Sequence, residues 1–452
     1  MGYTGKKVLV CGMGLSGTGA ARLLLAHGAS VTLCDLREEP AVEADLLTHE
    51  RVSTHFGKNP DDILGEHQLM VLSPGIPTDL PFVEAARKLS IPVWGEVELA
   101  SRHCKAQIMA VTGTNGKTTV CSLAGQIMAK AFPGSVMAGN IGVSFCGLVE
   151  SVSPNAWVVA EISSFQLETI HSFRPKISAV LNMTPDHLNR HKTMEAYVAA
   201  KERIYENQTE DDICVLNFDN QHSHTMIAKT PAKPMLFSNN ELDKGVFIKN
   251  DGIWIRWHFL GIKLDVEVIK LADIPIPGSH NAENVMAAIA MCAAAGAPLD
   301  IIAAGIKAFK AVEHRLEFVK EIDGISYYND SKATNVDSAI KAITGLSQPT
   351  ILIGGGHDKG LDFGEMVKVF PGRVKHFIVI GETADALIGT CKAHNYHDYE
   401  RANTLKDAVN IAAARAEAGD AVLLSPACAA FDMFDNYEQR GRVFKQFVRE
   451  LG

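Results

Sequence analysis

Short apolar runs alternate with longer stretches of helical period along almost the whole chain, the pattern of parallel sheets joined by crossover helices. The first block opens with KKVLVCGMGLSGTGAARLLLAHG, continues through SVTLCD and QLMVLSPGIP, and fades near residue 95 at PVWGEVELA. A second block starts at AQIMAVTG and runs through AWVVAEIS, ISAVLN and DICVLNFD. Within it, GVFIKNDGIWIRW reads as a hairpin, two alternating runs joined by a turn that holds Asp251-Gly252. Alanine-rich helices after PGSHNAEN close this block near residue 311. The third begins at EFVKEIDGISYYNDS and repeats the alternation in PTILIGGG, KHFIVIGE and AVLLSP. The expectation is three consecutive α/β domains, residues 1–95, 96–311 and 312–452.

Composition supports that organisation and removes several classes of function. A chain of 452 residues is too long for one ordinary core. Its richest apolar stretch, VMAAIAMCAAAGAPLDIIAAGI, contains Gly296, Pro298 and Asp300, so it reads as two buried helices and not a membrane span. The N-terminus has too short an apolar core for a signal peptide. Nine cysteines with no C-x-x-C pair, several inside apolar runs (Cys11, Cys34, Cys214), predict buried free thiols in a reducing cytosol. A net charge of −9 argues against a nucleic-acid scaffold but not against a nucleotide, which backbone amides and one lysine can hold. A soluble, cytoplasmic protein with neither nucleic-acid nor membrane partners is expected.

Two glycine-rich loops carry the candidate chemistry. Gly12-Met13-Gly14-Leu15-Ser16-Gly17 is a full G-x-G-x-x-G between a strand and a helix, and Asp35 closes the next strand where a ribose-binding acid would stand. A dinucleotide-dependent dehydrogenase and a tight turn serving another ligand both satisfy this motif. The second loop lies in AVTGTNGKTTV, residues 110–120. The usual phosphate loop wants a glycine where Val111 stands, and Gly113 is the nearest. A triphosphate cradle needs backbone amides at a helix N-terminus, a lysine and a hydroxyl for Mg²⁺, and all three are present. The competing reading is a glycine turn followed by a solvated Lys117. Elsewhere, Glu161 ends an apolar strand. Asp186, His187, Asn281 and Asn284 suit either a site or helix caps. Lys201 lies within about 60° of Met194, Tyr197, Val198, Ile204 and Tyr205 on a helical wheel, so a cation sits mid-stripe unless it snorkels to an edge.

The second loop matches T-G-[TS]-N-G-K-[TS]-T and resembles the phosphate loop of the Mur ligase family. The resemblance continues, in order, through GNIG (139–142), EISSFQLE (161–168), NMTPDHLNRH (182–191), YVAAKERIYEN (197–207), PGSHNAEN (277–284), HRLE (314–317), NDSKATN (329–335) and SPACAAFDMFDNYEQRG (425–441). It implies an N-terminal Rossmann-like domain, a central P-loop ATPase-like domain with a parallel sheet plus a small β part, and a C-terminal Rossmann-like domain. Within the family, NDSKATN and SPACAAFD are similar to the segments of the member that adds D-glutamate to UDP-N-acetylmuramoyl-L-alanine. A dehydrogenase leaves the second loop unexplained, and a bare nucleotide-binding module leaves the acids and histidine at strand ends unexplained. A folylpolyglutamate-type ligase is disfavoured by the complete first domain.

The resemblance also implies site residues. ATP would be held by Gly113, Thr114, Asn115, Gly116, Lys117, Thr118 and Thr119, with Asn281, Asn284, Arg315 and Asp330 by the adenine. Lys117 would neutralise the β- and γ-phosphates. Two Mg²⁺ ions are implied, the first on Thr118 and Glu161, the second on His187 with a carbamate formed on Lys201. Leu15, Ser16, Asp35, Leu36, Arg37 and Ser73 would line the UDP site, with Leu36 standing where some relatives have a small hydroxyl residue. Asn140 and His187 would face the muramoyl-alanine end. Lys332, Thr334, Lys359, Ser425 and Phe431 would surround D-glutamate. The implied reaction activates a carboxylate as an acyl phosphate for attack by the amine, in a monomeric enzyme of peptidoglycan precursor synthesis.

Overall fold

The computed structural model describes residues 2–452 apart from 142, 260–261, 277, 311–312 and 359; the side chains of 189, 258–259 and 262–263 are also outside the description. The expected boundary at 311 and the candidate Lys359 therefore lie outside the described residues. The chain forms two compact units, Met1–Asp273 with Glu283–Lys307, and Ile274–Ala282 with Ala308–Gly452. The first unit contains two sheets and the second one, a sheet for each block of the sequence pattern.

The N-terminal sheet has five parallel strands in the order Val52–Phe56, Ser30–Asp35, Lys7–Cys11, Leu69–Leu72, Val93–Gly95. Val8, Leu9, Val10 and Cys11 are all buried, because helices cover both faces, and this is why the run shows no alternation. Strand order reverses beside Lys7–Cys11, so the first glycine loop opens at the switch point where doubly wound sheets take ligands.

The central sheet has nine strands in the order Ile262–Lys270, Gly252–Phe259, Gly245–Lys249, Lys233–Ser238, Ile213–Asn217, Ile177–Val180, Gln107–Thr112, Trp157–Glu161, Val136–Gly139. The seven strands from Gly245–Lys249 onward are parallel, and the other two extend the sheet as an antiparallel meander. The expected hairpin is present, but Lys249 pairs with Gly252, so its turn residues are Asn250 and Asp251. Both take left-handed backbone, φ 49° and 57°, as the tight turn of a twisted hairpin requires. The alanine-rich stretch forms two helices, Ser279–Ala294 and Leu299–Lys307, separated at Gly296 (φ 86°). No helix among the described residues is long and apolar enough to cross a membrane. All nine cysteines are free, and eight are buried.

Two buried glutamates on helix Glu96–His103 tie the first two sheets into one unit. Glu98 accepts the backbone N–H groups of His171, Ser172 and Phe173 at 2.9–3.1 Å, so its carboxylate stays ionised although enclosed. Glu96 accepts from the Cys146 amide at 2.7 Å, and its burial pushes the carboxyl up to about 7. Helix Leu15–Ala26 docks on the same turn; a Cβ at Gly19 would lie 2.1 Å from the Ser144 hydroxyl.

The C-terminal sheet runs Glu317–Ile322, Ile325–Asn329, Ala421–Leu424, Thr350–Gly355, Val374–Ile380, Tyr399–Arg401. Five strands are parallel and Glu317–Ile322 is an antiparallel edge, hairpinned to its neighbour through Asp323-Gly324.

Candidate active site

Strand Gln107–Thr112 delivers the chain into a turn that glycine alone adopts cheaply, with φ 145° at Gly113 and 85° at Gly116. Space enforces the second glycine as well, since its Cβ would meet Asn284 Oδ1 at 2.1 Å. Gly116 is the N-cap of helix Lys117–Ala131, and no side chain caps the first turn, which carries the positive end of the helix dipole. The turn is pinned from below. The Thr114 amide donates to Asn182 O (2.9 Å), and its hydroxyl donates to Thr184 O (3.0 Å) and meets Tyr197 OH at 3.1 Å. Asn115 and Asn182 exchange two hydrogen bonds, 2.8 and 3.1 Å. Lys117 Nζ folds back onto the carbonyls of Gly113 (2.9 Å) and Thr114 (2.8 Å). Thr118 and Thr119 are buried in the first turn of the helix.

Beside the loop, the buried Glu161 carboxylate accepts from Asn140 Nδ2 at 3.0 Å on one oxygen, while the other is buried with no donor. Enclosing such an oxygen is costly without a cation or donor, and a hard divalent ion suits it. Lys201 does not snorkel. It is buried, donating to Gly113 O (2.8 Å) and Thr112 Oγ1 (3.3 Å) over the Tyr197 ring. Burial, reinforced by the charge of Lys117, holds its ammonium well below the usual lysine range, with Asp186 and Glu161 opposing. The expected stripe is present: Tyr197, Val198, Ile204 and Tyr205 are buried and Met194 is partly so.

His187 has left-handed backbone (φ 54°) and begins helix Leu188–His191 without a side-chain cap, while Asp186 accepts the His187 N–H at 2.9 Å. The imidazole stands edge-on to Phe165 at 4.8 Å. Asn281 and Asn284 fall inside helix Ser279–Ala294, so neither is the cap that their spacing allowed. Asn284 belongs to the first unit, against Gly116, and Asn281 to the second.

The first glycine loop is built around Asp35, whose two oxygens are engaged within the protein. Oδ1 accepts from the Arg37 amide (3.0 Å) and Nε (2.9 Å), and Oδ2 accepts from the Met13 amide and an Arg37 terminal nitrogen, both 2.8 Å. Arg37 foremost holds this carboxyl well below the usual range. Asp35 thus orders the loop instead of standing open for a ribose, which removes the main support for a dinucleotide. Ser73 donates to Gly12 O at 2.8 Å. A cavity of about 140 Å³ opens beside Asp35 and Leu36, with Lys58, Asn59 and Pro60 on its wall. No motif marked those three residues.

In the second unit Asp330 is fully enclosed, accepting from Ser425 Oγ (2.8 Å) and the Leu316 amide (3.1 Å), and burial raises its carboxyl to about 7. Candidates for two different ligands, Asp330 and Ser425, therefore touch. Arg315 Nε is buried without a partner. Lys332 Nζ lies 5.1 Å from the Tyr437 ring centre, and the Thr334 amide donates to Lys332 O (2.9 Å). Sequence reading gave no role to Arg440, although it lies in the quoted segment 425–441. It is buried and donates to Ser331 Oγ (3.0 Å), Ser331 O (2.8 Å), Cys428 O (3.0 Å) and Ala429 O (3.2 Å), joining loops 329–335 and 425–431. Glu313, His314 and Glu317 have metal-like spacing, but Lys445 already neutralises both carboxylates.

Leu15, Leu36 and Phe431, at 74, 67 and 66 % exposure, are the most exposed large apolar side chains among the described residues. All three are candidate ligand contacts.

Comparison with known proteins reaches the same segments. The Mur ligase MurD-like N-terminal domain matches residues 6–95, the Mur ligase middle domain 111–292 and the Mur ligase glutamate ligase domain 314–428. The chain is 46 % identical over 461 residues to the UDP-N-acetylmuramoylalanine–D-glutamate ligase of Lachnospira eligens, covering all of both chains. The enzyme of that name from Thermoanaerobacter pseudethanolicus is 45 % identical over 456 residues, again with both chains fully covered. Among solved structures, UDP-N-acetylmuramate-alanine ligase from Thermotoga maritima superposes with a TM-score of 0.59 at 17 % identity, covering 99 % of this chain and 100 % of the other. The MurF ligase of the same organism in complex with ADP gives 0.60 at 14 %, covering 100 % and 96 %.

Proposed function

The chain belongs to the Mur ligase family, and on that premise we infer that it joins D-glutamate to UDP-N-acetylmuramoylalanine as ATP is consumed. It is an ATP-dependent amide-forming ligase of peptidoglycan synthesis. One observation at the site supports the reading most. The phosphate loop is flanked, in one unit, by a buried carboxylate oxygen without a donor and a buried lysine whose charge is disfavoured.

The division of labour we propose is by sheet: residues 1–95 take the UDP-linked substrate, 96–311 ATP, and 312–452 the amino acid. The amides opening helix Lys117–Ala131 receive the phosphates, and Lys117, resting on two loop carbonyls, supplies the fixed positive charge that phosphoryl transfer requires. The residues fit Mg²⁺: Thr118 and Glu161 would hold one ion, and His187 with a modified Lys201 a second. Bound there, Mg²⁺ neutralises charge on the transferring phosphoryl group and the acceptor carboxylate. Asn140 fixes the Glu161 carboxylate and would orient the muramoyl-alanine end.

Lys201 is suited to carbamylation because its neutral amine, favoured by burial, adds to CO₂ with loss of one proton. The product is an anion where a cation would repel the metal. In the first domain, the amides that open helix Leu15–Ala26 suit a diphosphate, and Leu15 and Leu36 offer apolar surface beside the cavity at Asp35. Lys332 and Lys359 would meet the carboxylates of D-glutamate, with Thr334 and Ser425 orienting it against Phe431. The activated species is an acyl phosphate that the amine attacks. We place the enzyme in the cytoplasm as a monomer, since a single chain carries every site named. The test is phosphate release with ATP, Mg²⁺, UDP-N-acetylmuramoyl-L-alanine and a panel of amino acids. D-Glutamate alone is expected to support turnover, and equal release with L-glutamate removes the stereospecific assignment.

A further inference from the structure

The floor of the cavity beside Asp35 carries two thiols. Cys11 ends strand Lys7–Cys11, Cys34 is the penultimate residue of strand Ser30–Asp35, and the two are paired in the parallel register. Both line the cavity together with Gly12, Asp35 and Leu36. Directly paired residues on neighbouring parallel strands stand about 4.8 Å apart and point to the same face. That spacing falls inside the Cα separation of roughly 4.4–6.8 Å that a disulfide spans. Their interaction pushes the Cys11 thiol up and draws the Cys34 thiol below its usual value, while Cys34 Sγ also faces Lys58 O at 3.8 Å. Cys34, the less buried of the two, is taken as the attacking thiol and Cys11 as its partner. About 140 Å³ of open volume above them admits a small oxidant.

We propose that Cys11 and Cys34 form a redox-sensitive dithiol, which hydrogen peroxide converts to a disulfide that weakens sugar-nucleotide binding. The Cys34 thiolate attacks one peroxide oxygen, forming a sulfenic acid as the O–O bond breaks and hydroxide leaves, protonated to water. The Cys11 thiol then attacks the sulfenic sulfur, its proton leaving with the displaced hydroxyl as a second water. The two thiols lose two electrons and two protons, and one peroxide becomes two waters. The closure acts on the site through the chain. Cys11 directly precedes Gly12, the Ser73 acceptor, and Cys34 directly precedes Asp35, which holds the Met13 amide and Arg37. Drawing the sulfurs together to about 2 Å displaces both ends of the loop.

The effect on binding rests on the UDP-site reading; the disulfide itself does not. Trypsin cuts after Lys7, Arg22 and Arg37, so the two cysteines fall in separate peptides, 8–22 and 23–37. Full-length protein treated with hydrogen peroxide, alkylated and digested should yield these two peptides linked, with a 2 Da loss reversed by dithiothreitol. UDP present during treatment should slow the linkage. Calorimetry should find UDP-N-acetylmuramoyl-L-alanine bound at least tenfold more weakly after oxidation. Cys34→Ser and Cys11→Ala should give no link, and the affinity of each should be the same before and after peroxide. Absence of the 8–22/23–37 link, or linkage through other cysteines, overturns the dithiol. A linked protein that binds the sugar nucleotide as tightly as the reduced form overturns the control of binding. If reduced protein binds no UDP, the site reading has failed instead.

Discussion

Arg440 joins the two loops that carry the D-glutamate candidates, and removing it should separate a binding defect from a folding defect. Its guanidinium makes four hydrogen bonds, all to residues 331, 428 and 429. At about 1.5 kcal/mol each, the low end for a charged donor, they contribute ~6 kcal/mol. Against this stands the burial that pushes the guanidinium down to about 10 from 12.5, a cost of about 3 kcal/mol. The remainder is ~3 kcal/mol, within the cost of leaving buried acceptors without a donor. Arg440→Met keeps most of the volume but leaves three carbonyls without their donor. It should destabilise the C-terminal unit by ~3 kcal/mol, speed amide exchange in 329–335 and 425–431, and raise KM for D-glutamate at least tenfold. KM for the sugar nucleotide should stay near wild type. Arg440→Lys keeps the charge but loses the planar fork, so it should fall between. Exchange mass spectrometry and steady-state phosphate release measure both effects. Wild-type exchange in both loops and an unchanged KM for D-glutamate in the Met variant would refute the assigned role.

Lys201→Arg should lose at least a thousandfold in turnover, because guanidinium does not form a carbamate. Wild-type enzyme stripped of CO₂ should lose activity and recover it with bicarbonate, and normal turnover in the Arg variant would exclude the modification. Gly116→Ala should fold but lose ATP affinity at least tenfold in a nucleotide-binding titration, since Cβ would strike Asn284 and φ is 85°; wild-type ATP affinity would refute the tight cradle. Asp330 titrates near 7 folded and near 3.9 unfolded, so the proton it binds on folding favours the native state fully below pH ~4, an advantage lost as pH rises through 7. Asp330→Asn should therefore gain up to ~4 kcal/mol over wild type at pH 8 and nothing at pH 4, as urea midpoints would show. Parallel pH profiles would refute that ionisation.

What the sequence disclosed and what it hid divide along one physical line. Gly113 and Gly116 were legible because a local backbone requirement selects their residue type, and the strand before them because burial on both faces leaves a continuous apolar run. Lys201 was legible for the opposite reason: a cation in the middle of an apolar stripe breaks the local pattern, and such a break marks a candidate site. Asn284 on Gly116 and Ser425 on Asp330 join positions far apart in the chain, so no spacing rule could place them. Arg440 is harder still. Its helix, Tyr437–Glu450, is rich in charge, and the buried face that Arg440 shares with Gly441, Phe444 and Val448 carries a second cation, Lys445, so no clean apolar stripe marks it out. Three of its four partners are main-chain carbonyls, which carry no sequence signature, and Arg440 joins the two loops that carry the D-glutamate candidates. The turn residues show the same limit at short range. Asp251-Gly252 has the composition of a hairpin turn, yet pairing of Lys249 with Gly252 moves the left-handed positions to Asn250 and Asp251. Composition located the turn, and strand register decided which residues made it.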